Sequence, residues 1–102
     1  MDFQGLGAVI GGVVHRRRTR AKLSQQQLAN RAGLERSYLS LLESGKRMPG
    51  VEIIFRLAGA FGVNPLTIFA EIERDWNKKN DAPERNDHSE NVPEDPPSIN
   101  PR

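Results

Sequence analysis

At 102 residues the chain is long enough for one small domain with a modest core and a flanking tail. It has no cysteine, which excludes a disulfide framework and a thiolate metal site and fits a cytoplasmic protein. The formal net charge of +2 hides an asymmetry: residues 1–50 carry nine Lys/Arg against three Asp/Glu, whereas residues 51–76 carry two against four and residues 77–102 four against six. A basic excess confined to one half points to an anionic partner for one face, either nucleic acid or an acidic membrane surface.

Five helical stretches and no strand are predicted up to Trp76. The first runs from about Phe3 to Ala21, with Leu6, Ile10, Val13, Val14 and Ala21 on one side. Gly5, Gly7, Gly11 and Gly12 weaken its start. Its apolar run, Leu6 to Val14, is too short to span a bilayer. The flanks, Asp2 before it and cations after it, are the reverse of those of a signal peptide. The run therefore reads as the buried part of a helix, and no membrane association is expected. His15-Arg16-Arg17-Arg18-Thr19-Arg20 reads as a solvated face, with one or two cations, Arg17 among them, available to a phosphate. His15 has no carboxylate, cysteine or second histidine at ligand spacing, so neither a metal nor a cofactor is expected.

The second helix is framed by Ser24 as N-cap with Gln27 three residues on, a capping box, and by the staple of Leu23 on Leu28. It stops at Gly33. The third runs from about Arg36 to Ser44, with Glu35 as a poor N-cap, a Leu34–Leu39 staple and Gly45 as its end. The fourth, Val51 to Phe61, follows Pro49-Gly50 and turns Ile54, Leu57, Ala58 and Phe61 inward. The fifth opens with Asn64 as N-cap, Pro65 at the first helical position and Val63 against Ile68, and continues to about Trp76. Phe55, Leu66, Ile72 and Trp76 are more apolar than so small a domain needs to display, and they are expected to form a dimer interface.

From Asn77 onward Pro83, Ser89, Pro93, Pro96, Pro97, Ser98 and Pro101 dominate, and Val92 and Ile99 are the large apolar residues. Such a segment buries too little surface to offset chain entropy. The expected organisation is an all-α domain over residues 1–76 and a disordered, acidic, Pro-rich tail over residues 77–102.

Two helices joined by a short turn cross at a steep angle only if their backbones approach closely. Ala29 supplies the small side chain, Gly33 the positive φ, and Leu28, Leu39 and Leu42 the inner angle. Arg36 and Ser37, with Ser40 and Leu41, are then left pointing away from the core. A helix presented in this way fits the major groove of DNA, where base edges carry a distinguishing pattern of donors and acceptors. The start of the second helix, at Ser24 and Gln25, would meet a phosphate through its free backbone amides.

The pattern Gln25-x-x-x-Ala29-x-x-x-Gly33-x-x-x-x-x-Leu39-x-x-Leu42-Glu43-x-Gly45 resembles the Cro/CI-type (XRE) helix-turn-helix family of phage repressors and bacterial regulators. The likeness runs from about Val14 to Phe69 and includes "LSQQQLANRAGL", "RSYLSLLESGKRMP" and "FRLAGAFGVNP". The segment from Leu34 to Ser40 also looks like the restriction–modification controller branch, where Asp/Glu-Arg-Ser/Thr opens the recognition helix.

The resemblance implies a five-helix, phage-repressor-like fold with its helix-turn-helix unit at about residues 24–45. It also implies double-stranded DNA as partner and a homodimer on a two-fold symmetric operator; the residues themselves offer no nucleophile–base pair, so no enzymatic activity is expected. Carried over by position, Gln25 donates to a phosphate, and Arg36, Ser37, Ser40 and Leu41 reach bases. Lys46 and Arg47 lie beside the DNA backbone, Tyr38 packs or touches a phosphate, and Arg18 pairs with Glu43 in a semi-buried ion pair. Two positions depart from the pattern: Glu35 replaces the usual Ser/Thr cap, and Leu41 replaces a frequent polar reader, leaving contact with a thymine methyl. Two alternatives stand beside the regulator: an antitoxin whose tail folds onto a partner toxin, and a protein-interaction module that keeps the fold without recognising DNA.

Overall fold

The computed structural model describes residues 2–80. Among them are five helices: α1 (Leu6–Arg20), α2 (Gln25–Ala32), α3 (Arg36–Glu43), α4 (Val51–Phe61) and α5 (Pro65–Lys79). No single helix among these residues is long and apolar enough to cross a membrane.

The local signals act as their chemistry requires. The Ser24 hydroxyl accepts from the Gln27 amide at 3.0 Å, and the Gln27 side chain accepts from the Ser24 amide at 2.8 Å. Two of the orphan donors at the start of α2 are thereby satisfied. Gly33 takes the left-handed conformation (φ 71°), and the Leu34 amide closes on the Ala29 carbonyl at 2.8 Å. Asn64 caps α5 by accepting from the Leu66 amide at 2.9 Å. Glu35 caps α3 without any side-chain hydrogen bond.

Two helix boundaries differ from the sequence expectation. α1 starts at Leu6 rather than Phe3, because Gly5 stands at φ 90° as its N-cap and Phe3 contributes only a carbonyl to the Leu6 amide. α5 continues past Trp76 to Lys79. Lys78 and Lys79 favour the negative end of the helix dipole, and the Asn80 side-chain amide donates to the Trp76 carbonyl at 2.8 Å. The boundary expected at Trp76 thus falls inside a helix. Residues 81–102, where a disordered tail was expected, lie outside the described residues.

The core has two parts. Val14, Leu28, Ala29, Ala32, Leu39, Leu42 and Leu57 fill the angle beneath α2 and α3. Ile10, Val13, Ile54, Ala58, Ile68 and Ile72 fill the seam where α1, α4 and α5 meet. Ile72, expected at a dimer surface, therefore belongs to the core and is only 9% exposed. It stands one turn after Ile68, so both fall on the same stripe of α5. Trp76 is half-buried, its ring stacked on Phe3 with centroids 5.8 Å apart.

α1 and α3 pack with almost no gap. A Cβ on Gly11 would run into the Leu42 carbonyl oxygen and lie 2.7 Å from that of Glu43. The glycine that weakens α1 as an isolated helix is what lets α3 reach it.

Candidate nucleic-acid interface

α3 lies across the molecule with Leu39 and Leu42 fully buried beneath it. Its opposite face opens to solvent. Arg36 and Ser37 are exposed, Ser40 is half-buried and Leu41 is exposed. A guanidinium fork, two hydroxyls and one aliphatic side chain thus share one helix face. Such a set can donate to purine acceptors and touch a thymine methyl. Tyr38 is half-buried and packs on the core beneath α2 and α3, while the Arg47 guanidinium lies 5.5 Å from its ring centroid. Lys46 and Arg47 are both exposed in the loop after α3.

The start of α2 stands beside the start of α3. The Ser24 hydroxyl and backbone amide are consumed by the capping box, so the amides of Gln25 and Gln26 have no hydrogen-bond partner among the described residues. The side chain of Gln25 is engaged at both ends: its Nε2 donates to Glu43 Oε1 at 3.2 Å and its Oε1 accepts from Arg36 Nη1 at 3.2 Å. Residue spacing gave no warning of this contact, because it joins side chains from two different helices.

Behind these residues sits a bidentate ion pair. Arg18 Nε donates to Glu43 Oε2 at 2.6 Å and Arg18 Nη2 to Oε1 at 3.0 Å, while Arg18 Nη1 donates to the Leu23 carbonyl at 2.9 Å. The two side chains are 13% and 5% exposed, so the pair is largely desolvated. It clamps α1, α3 and the loop before α2 to one another. His15, from the same helix as Arg18, brings its Nδ1 to 3.2 Å from Glu43 Oε1, a neighbour that sequence spacing did not offer. Burial pushes the Glu43 carboxyl up, but hydrogen bonds from Arg18, Gln25 and His15, with the Arg18 charge, outweigh it and hold the group below its ordinary value. Its hydrogen bond to Glu43 raises Arg18 in turn, against the opposing effect of burial.

Within the cationic run of α1, His15, Thr19 and Arg20 are solvated as expected, but Arg16, Arg17 and Arg18 are half-buried and paired. Arg17 forms a two-pronged pair with Glu71 at 3.0 and 2.6 Å, and Arg16 Nη1 donates to Asp75 Oδ2 at 3.1 Å. Arg17, expected to be available to a phosphate, is instead committed to α5. The reason lies in register: Glu71 and Asp75 are one turn apart on α5 and face consecutive arginines of α1. The Arg17 hydrogen bond holds the Glu71 carboxyl below its ordinary value despite burial, helped by the charges of Arg17, Arg16 and Arg74. No group of His, Cys, Asp and Glu among the described residues could hold a metal ion.

The profile of the helix-turn-helix family matches residues 14–68, from the second half of α1 into α5. An HTH-type transcriptional regulator of Sinorhizobium fredii, y4dJ, is 38% identical over 64 residues, which are 63% of this chain and 79% of that protein. The HTH-type transcriptional regulator Rv0474 of Mycobacterium tuberculosis is 33% identical over 59 residues, 58% of this chain but only 42% of that longer protein. Among solved structures, the restriction–modification controller protein C.AhdI of Aeromonas hydrophila superposes with a TM-score of 0.60 at 35% identity, covering 62% of this chain and 96% of that one.

Proposed function

Because the chain belongs to the XRE-type helix-turn-helix family, we propose that it is a transcriptional regulator that binds double-stranded DNA sequence-specifically, as a homodimer on a two-fold symmetric operator. The observation that carries this reading is the open start of α3, with Arg36 and Ser37 exposed above fully buried Leu39 and Leu42. Arg36, Ser37, Ser40 and Leu41 read base edges. The free amides at the start of α2, with Gln25, Lys46, Arg47 and the Tyr38 hydroxyl, hold phosphates. Phosphate contacts fix the register, and base contacts supply the sequence preference.

Dimerisation uses Phe55 and Leu66, which are 56% and 72% exposed, with Phe69 beside Leu66 on α5. Large apolar side chains left open on neighbouring elements mark an interaction surface. A two-fold axis through it sets the two copies of α3 about 34 Å apart, one turn of DNA.

The test begins with selection of bound sequences from random DNA, followed by titration of the selected operator and its single-base substitutions at one fixed salt concentration. Arg36→Ala is expected to cost about 1–3 kcal/mol on the operator and to relax preference at one base pair per half-site. Equal loss on every sequence would make Arg36 a phosphate clamp and overturn the assignment of α3 as the reading helix.

A further inference from the structure

Glu43 takes part in two sets of contacts that the fold alone does not require to meet. One is the bidentate pair with Arg18, which fixes the carboxylate in place. The other leads outward: Glu43 Oε1 accepts from Gln25 Nε2 at 3.2 Å, and Gln25 Oε1 accepts from Arg36 Nη1 at 3.2 Å. We infer that Glu43 is a positioning residue for DNA sequence recognition, which presets the Arg36 guanidinium through the side-chain amide of Gln25. The inference rests on the base-reading role proposed above for Arg36.

The physical argument concerns which way an amide points. A glutamine amide has a donor end and an acceptor end of nearly the same shape, so sterics alone do not choose between them. Here both neighbours choose. A carboxylate offers only acceptors and attracts the NH2 end, whereas a guanidinium offers only donors and attracts the oxygen. Turning the amide over would set oxygen against oxygen at Glu43 and N–H against N–H at Arg36. Both contacts in the observed sense carry a formal charge on one partner, which makes them stronger than neutral hydrogen bonds.

The anchor is rigid and the far end is not. The Glu43 side chain is 5% exposed and held by Arg18, whereas Arg36 is an exposed arginine whose long side chain is otherwise free to sample rotamers. Passing order from the first to the second through one amide reduces the rotamer entropy lost when Arg36 docks on a base. The second Nε2 hydrogen of Gln25 stays available for a phosphate, so the same amide can hold DNA and aim its reader. His15 Nδ1 and Arg18 Nη2 also crowd Oε1, at 3.2 and 3.0 Å, so the Gln25 contact shares that oxygen, and an amide at position 43, with one acceptor oxygen in place of two, cannot serve both prongs of Arg18 and Gln25 together.

The experiment compares parent, Glu43→Gln, Gln25→Ala, Arg36→Ala and the Gln25→Ala/Glu43→Gln double variant. Each is titrated against the selected operator, its single-base substitutions and a scrambled duplex, with circular dichroism showing each folded at the assay temperature. Glu43→Gln is expected to lose discrimination severalfold at the base pair where Arg36→Ala loses it, with a smaller change in affinity for scrambled DNA. In the Gln25→Ala background, Glu43→Gln is expected to cause no further loss, because the relay is already cut.

Full discrimination in Glu43→Gln, alongside specific loss in Arg36→Ala, would overturn the relay and leave the base-reading role standing. Additive losses from Gln25→Ala and Glu43→Gln would do the same. Uniform loss of affinity on all sequences in Arg36→Ala would bring down the reading role and the relay together. Should Glu43→Gln melt below the assay temperature, Gln25→Glu replaces it. This variant leaves the Arg18–Glu43 pair in place but sets a carboxylate against Glu43 and a competing anion against Arg36. Loss of discrimination is expected, and its retention overturns the relay.

Discussion

At the scale of single residues, Glu43 is the most consequential side chain in the domain. Its side chain is almost fully desolvated and shared by groups from α1 and α2, so removing it leaves the Arg18 charge without a carboxylate to balance it. Glu43→Ala is expected to destabilise by about 3–5 kcal/mol, against about 0.5 kcal/mol or less for Glu73→Ala on the exposed face of α5. Thermal melts of the two variants check this, and equal small shifts would refute it. The acid limb of stability follows from the same contacts. Glu43 and Glu71 both titrate below their ordinary value in the folded state, so in acid the unfolded chain binds more protons than the folded one. Their contribution is complete above the unfolded carboxyl value of about 4.3 and is lost as pH falls through the lower folded values. Urea midpoints are expected to stay level from pH 7 to about 5.5 and to decline below about 4.5. Glu43→Gln should decline less steeply.

At the scale of helices, two adjacent glycines of α1 separate what sequence reading can see from what it cannot. A Cβ on Gly12 meets nothing within 4 Å, whereas one on Gly11 meets the Leu42 and Glu43 carbonyl oxygens. Gly12→Ala is expected to stabilise by about 0.5–1 kcal/mol through helix propensity alone. Gly11→Ala gains the same propensity but must push α3 away, at a cost of about 1–3 kcal/mol or more, because a carbonyl cannot rotate aside. Urea unfolding of both variants should show opposite signs.

Caps, staples and stops were legible because each is a local pattern: Ser24 with Gln27, Asn64 with Pro65, and Gly33 each depend on neighbours within a few residues. The core of the middle helices, Leu28, Ala29, Leu39 and Leu42, was legible from spacing for the same reason. The burial of Ile72 and the pairing of Arg17 escape the sequence because each depends on a partner helix more than 50 residues away, the Ile10–Val13 seam and Glu71, and the close approach at Gly11 escapes it in the same way because the carbonyls it meets are on α3. The reading face of α3 was visible in outline, but the Gln25–Arg36 contact was not, since no period links two helices across a turn.

At the scale of the whole molecule, the apolar side chains that remain open after folding are what a second copy would cover. Leu66 sits in the first turn of α5, where an acidic side chain suits the helix dipole, so Leu66→Glu removes the apolar contact without harming the helix. Sedimentation is expected to show a folded monomer, and titration a much weaker grip on the operator. A dimer of unchanged affinity would place the interface elsewhere. Charge has a similar global consequence. Glu71 and Asp75 neutralise two of the cations that made the first half of the chain look basic, so the charge left for DNA lies at the end of α1, on α2 and α3, and on the loops beside them. Phosphate contacts release counterions. Charge-removing substitutions at Lys46 and Arg47 are therefore expected to flatten the salt dependence of binding, whereas one at Arg17 should lower the melting temperature instead.

Trp76 is the one tryptophan of the chain, and its ring lies against Phe3 at the corner where the start of α1 meets the last turns of α5. Its emission is therefore an intrinsic fluorophore for that corner and for nothing deeper. Far-ultraviolet ellipticity reports all five helices, so heating the protein under both detectors compares a peripheral seam with the whole. Coincident curves would mean that the corner opens only with the core. A red shift of the emission at lower temperature would identify the Phe3–Trp76 seam as a separately unfolding unit of low stability.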